Sequence, residues 1–143
     1  MRKTIGSLLV LPVLLWTAMP IASASDSAIS TMAGIVMHLN HYPSDSEKQT
    51  LANIIQDEHA TAGEKALAGA LMRMRHSVQG SDAAALQDLT SNKQASHDER
   101  KLAEILLGIT HHPSASDRQQ LQSLLDSSVG GKASHHKRGF SGY

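Results

Sequence analysis

His111-His112-Pro113-Ser114-Ala115-Ser116-Asp117-Arg118-Gln119-Gln120-Leu121 sets the architecture, because variants of this stretch occur twice more at one fixed spacing. Thirty-five residues earlier stands His76-Ser77-Val78-Gln79-Gly80-Ser81-Asp82-Ala83-Ala84-Ala85-Leu86, and thirty-five before that His41-Tyr42-Pro43-Ser44-Asp45-Ser46-Glu47-Lys48-Gln49-Thr50-Leu51. No gap is needed to align them. A helical pattern precedes each copy. Leu102, Ile105, Leu106 and Ile109 follow the i, i+3, i+4, i+7 spacing that lines side chains along one helical face. One unit back the same positions are Leu67, Ala70, Leu71 and Met74, and two units back Met32, Ile35, Val36 and Leu39. All twelve are apolar in a chain that is 41% hydrophobic, a register difficult to reach by chance, so the unit reads as duplicated.

Helix starts are marked as well. Thr61 with Glu64 and Ser96 with Glu99 have the S/T-x-x-E form in which a hydroxyl caps an orphan N–H and the glutamate reaches back. In the first unit the equivalent cap is Asp26. After the histidine-led turn a second helix is expected to begin at Ser46, Ser81 and Ser116, with Gln49 and Gln119 completing capping boxes. Its apolar stripe is Leu51, Ile54 and Ile55, then Leu86 and Leu89, then Leu121, Leu124 and Leu125. Turns containing Pro43, Gly80 and Pro113 separate the two helices of each unit. The expected fold is all-α: three tandem 35-residue helical hairpins, six helices forming a short α-solenoid or a compact bundle. Ala33, Ala68 and Ala103, with Gly34 and Gly69 beside them, are expected to allow close helix approach. Period and hairpin are similar to those of the tetratricopeptide repeat, but that family's Trp, Gly-Tyr and closing Pro pattern is absent, so the similarity stops at architecture.

The flanks differ from the repeats. Arg2 and Lys3, the apolar run Leu8 to Met19 broken by Pro12, and Ala22-Ser23-Ala24 read as a secretory signal peptide over residues 1–24. The mature chain is therefore expected to be periplasmic or secreted, with no membrane association after cleavage. The repeat domain is expected over 25–126, in units of about 26–60, 61–95 and 96–126. Residues 127–143 are small, polar and basic without an apolar period, which points to a disordered tail.

Composition narrows the function. Thirteen basic residues balance thirteen acidic ones, and losing Arg2 and Lys3 removes two of the former, so nucleic acid is not an expected partner. There is no cysteine, hence no disulfide, thiolate metal site or thiol chemistry. No nucleophile elbow, phosphate-binding glycine loop, HExxH or paired-carboxylate pattern occurs, and the chain reads as non-enzymatic. Ser81-Asp82 and Ser116-Asp117, each five residues after a histidine, read as helix caps rather than parts of a nucleophile set.

Two functions remain. The first is a protein or peptide interaction module, or a self-associating one, with an exposed groove along the first helices. The second is histidine-mediated binding or carriage of a transition metal, zinc or copper, by His38, His41, His76, His111 and His112. Stacked hairpins would set His41, His76 and His111 in a row about ten Å apart, farther than coordination allows, and as helix ends they would interact favourably with the dipole. Met37 and Met72 lie off the apolar stripe as possible soft donors, and His135 with His136 forms a candidate metal handle in the tail.

Overall fold

A computed structural model describes residues 24–130; the signal-peptide assignment and the tail with His135 and His136 lie outside the described residues. The described residues form six α-helices and no strand: α1 (Ala24–Met37), α2 (Asp45–Gln56), α3 (Ala62–Arg73), α4 (Gly80–Ser91), α5 (His97–Gly108) and α6 (Ala115–Gly130). None is long and apolar enough to cross a membrane. All twelve stripe residues of α1, α3 and α5 are buried, and Ala33, Ala68 and Ala103 are fully so. From the second helices Leu51, Leu86, Leu89, Leu121 and Leu124 join them, while Ile54, Ile55 and Leu125 are half-buried against the same core.

The packing order differs from an open stack of hairpins. Each second helix packs most extensively on the first helix of the next unit, α2 on α3 and α4 on α5, and less on its own. Among the described residues no further unit follows α6, which packs back on α1 to nearly the same extent. α1, α3 and α5 also touch one another pairwise. The succession of contacts therefore closes, with the first helices in the middle and the second helices around them. The reason is the apolar stripe of α6: in an open stack Leu121 and Leu124 would face water, at a cost of roughly 1.5–3 kcal/mol for each large side chain.

One end of the central helices is fastened by capping boxes. Thr61 Oγ1 accepts the Glu64 N–H at 3.0 Å while Glu64 Oε2 accepts the Thr61 N–H at 2.7 Å. Ser96 and Glu99 repeat the arrangement at 3.1 and 2.6 Å. Both glutamates are buried, at 0% and 4% exposure, which a surface cap would not be. The hydroxyl of Thr61 also donates to Glu99 Oε1, so the cap of α5 is tied to that of α3. The tight approach lies here: a Cβ on Gly63 would collide with the Glu99 carboxylate and come within 3.0 Å of Leu89. The other two glycines are not needed for packing, since a Cβ on Gly34 meets open space and one on Gly69 meets only the flexible end of Arg73.

The second helices begin earlier than the sequence reading places them. Ser44, not Ser46, caps α2, its side chain accepting from Glu47, whose carboxylate returns to the Ser44 N–H at 2.7 Å. Ser114 rather than Ser116 does the same with Asp117, at 3.1 and 2.8 Å. A buried proline precedes each of these serines and holds it at the helix entrance. Ser81 is not a cap either: α4 starts at Gly80 behind Gln79, without a side-chain cap. α1 starts at Ala24, before Asp26, and α6 runs to Gly130, beyond the boundary at 126. Ser127 and Ser128 there donate to the carbonyls of Leu124 and Leu125 at 2.9 and 2.7 Å.

Candidate metal centre

His41, His76 and His111 each lie a few residues past the end of a central helix, so closure carries all three to one end of the bundle. One ligand nitrogen from each ring lies within 4.8 Å of the other two, and all three residues are exposed. The ring centroids are 5.6, 5.4 and 5.0 Å apart, each pair edge to face. Nδ1 of His76 and Nδ1 of His111 stand 3.2 Å apart. Nitrogens bound tetrahedrally at about 2.0–2.1 Å from a zinc ion are about 3.3 Å from one another, so one edge already has that length. An edge at the 4.8 Å limit exceeds that length by about 1.5 Å. The row about ten Å apart that an open stack implies is thus replaced by a cluster.

The backbone aims the rings. His111 has φ 74° and His41 φ 75°, positive values that non-glycine residues rarely adopt. The His112 N–H donates to the Thr110 carbonyl at 3.0 Å, which makes His111 the apex of a γ-turn, and Asn40 and Tyr42 form an isolated bridge across His41. Such a conformation costs about 1–3 kcal/mol per residue and tends to be retained where a side chain must point in one direction. Pro43 and Pro113, two residues on, are buried and stop any continuation of helix. In the second unit Gly80 takes the positive φ, at 61°, and His76 needs none.

Main-chain bonds join the three turns. The His41 N–H donates to the His111 carbonyl at 2.9 Å, and the His111 N–H to the His76 carbonyl at 2.7 Å. Asn40 Oδ1 lies 2.8 Å from His41 Nδ1. When Nδ1 carries the proton it donates there, which leaves the Nε2 lone pair of His41 for a ligand bond, an orienting role that sequence reasoning did not assign to Asn40. The three imidazoles would supply three ligands to a four-coordinate ion and leave its fourth position to solvent.

The other sequence candidates stay outside this cluster. His38 Nδ1 bonds the Gly34 carbonyl at 3.0 Å and His112 Nδ1 the Pro113 carbonyl at 3.4 Å. His59 bonds Asp57, and the Asp57 carboxyl is held below the usual carboxylate range chiefly by the His59 backbone N–H, then by its ring. His97 bonds Asp98. Ser81-Asp82 is no nucleophile pair, because both Asp82 oxygens accept from the Arg73 guanidinium, at 2.9 and 2.6 Å. Met32 and Met74 are core residues, whereas Met37 and Met72 are half-buried. Compared with models of known families, with curated proteins and with solved structures, the chain matches none of them.

Proposed function

We propose that this chain is a transition-metal binding protein of the exported compartment, built from three duplicated units that close so that each contributes one imidazole to a shared site. The carrying observation is the approach of His41, His76 and His111 nitrogens to within 4.8 Å of one another. Neutral imidazoles suit zinc or copper, and solvent access on one face suits reversible loading more than permanent structural retention. His38 and His112 are not assigned as ligands.

The metal reading takes precedence over the interaction module for one reason. The face of α1, α3 and α5 that a peptide groove would use is the buried core. A protein, peptide or second copy would have to dock elsewhere.

The test is thermal unfolding of the full chain carrying His135→Ala and His136→Ala, with and without zinc or copper. An ion that binds only the folded state stabilises it by about 2.7 kcal/mol at a hundred-fold excess over Kd, a rise in midpoint on the order of 10 °C or more in a domain of this size. That rise is expected to vanish when His76 and His111 become alanine. An unchanged midpoint for both metals in the starting chain would overturn the proposal.

A further inference from the structure

A groove of about 700 Å³ opens beside His76, between the first turn and the end of α3. Tyr42, Lys48, Met72, Arg73 and Arg75 line it with His76, and no carboxylate does. Its volume is that of a small-ligand site. Arg73 is already neutralised by Asp82 at 2.6 Å. Lys48 is only loosely held, 3.7 Å from the fully exposed Asp45 and 5.7 Å over the Tyr42 ring. Arg75 has no hydrogen bond or ion pair among the described residues. Two positive charges thus border a cavity that also reaches one of the three clustered histidines.

The duplication provides an internal control. Thirty-five residues on, the positions of Lys48, Arg73 and Arg75 are Ala83, Gly108 and Thr110, with no charge among them. In the remaining unit pair they are Arg118, His38 and Asn40. The histidine recurs in all three units, while this set of cations occurs once. Packing of the repeat therefore does not require it.

Resting on the metal reading, we infer that this groove takes a small oxyanion with two or more negative charges, a polycarboxylate or a phosphate, which completes the coordination of the ion at the three histidines. Arg75 and Lys48 hold the charge of the anion, and one of its oxygens fills the open fourth position, for which oxygen donors are suitable. Metal and anion then bind with mutual enhancement, since each supplies part of the other's site.

Cobalt(II) replaces zinc as a visible probe in the full chain carrying His135→Ala and His136→Ala. Its absorption spectrum is recorded as citrate, or in a separate arm inorganic phosphate, is added. The expected result is a saturable spectral change with at least one of the two. Its midpoint should rise roughly ten-fold or more in the Lys48→Ala, Arg75→Ala double variant, which still binds cobalt through the histidines. Arg100→Ala, near the other end of α5, should leave that midpoint unchanged. A cobalt spectrum that responds to neither anion, or equally in both proteins, overturns the groove assignment and leaves the metal reading standing. A chain with no bound-cobalt spectrum overturns both.

Discussion

The two ends of the central helices are built on opposite principles. At the N-terminal end of α3 and α5 the polar groups are turned inward: Glu64 and Glu99 are buried, each returns a hydrogen bond to its own cap, and Thr61 couples one cap to the next. At the C-terminal end three imidazoles are exposed, those of His41 and His111 on turns with strained backbone. Glu99 uses both carboxylate oxygens and Glu64 only Oε2, its Oε1 being buried without a partner, yet each bond made there fastens the fold, whereas exposed groups held in a costly conformation contribute little to it. On the proposed reading, stability is expected to depend more on the capped end and metal binding on the histidine end.

That division can be broken most visibly at Glu99. Glu99→Ala removes the return half of the α5 capping box and the acceptor of the Thr61 hydroxyl and leaves a cavity, for a loss of about 2–3 kcal/mol in urea unfolding. Zinc affinity of the folded protein is expected to stay within about two-fold, and a collapse of affinity would show that the ends are not separable. Gly63→Ala pushes a methyl against Glu99 and Leu89 and should cost about 1–3 kcal/mol by the same measurement.

The complementary experiments act on the histidine end. Replacing the exposed His76 by alanine should change the stability of the metal-free protein by no more than about 0.5 kcal/mol while abolishing the zinc-dependent rise in melting temperature. At His111, where φ is 74°, glycine should be more stable than alanine by about 1 kcal/mol in metal-free protein, because only the alanine retains a strained Cβ. Equal stabilities would mean that the turn is not strained.

Smallest is the Arg73–Asp82 pair. Its hydrogen bond and charge hold the Asp82 carboxyl below its ordinary value of 3.8, so the folded state binds the proton less readily than the unfolded one. The pair's contribution is present above that value and disappears as pH falls through the folded one. Solvent on Arg73 limits it to about 0.5 kcal/mol. Asp82→Asn should lose that amount at pH 7, and the difference from the parent should shrink as pH falls below 3.8 and vanish once the folded carboxyl is protonated.

Much of the fold is legible in the residues and the site only half so. The twelve apolar positions, and Thr61-Glu64 and Ser96-Glu99, follow from period and capping chemistry, which act within a few residues. The choice of serine at the second helices does not, because Ser44 with Glu47 and Ser46 with Gln49 both satisfy the local rule, and the buried Pro43 decides between them. Closure is a property of the whole chain. Its one trace in the sequence is the apolar stripe Leu121, Leu124 and Leu125 on a last helix that no further unit covers. Without closure His41, His76 and His111 read as a row of helix ends; with it one nitrogen of each lies within 4.8 Å of the others. The Lys48 and Arg75 groove stayed hidden for the same reason, since it joins residues of two units.

The most direct test of the central claim is the zinc K-edge X-ray absorption spectrum of the one-to-one complex, in the chain lacking His135 and His136. The expected result is a four-coordinate ion with three imidazole nitrogens at about 2.0–2.1 Å and one oxygen ligand, reduced to fewer imidazoles when His41 is replaced. A six-oxygen shell, or a three-imidazole shell that survives the loss of His41, would contradict it.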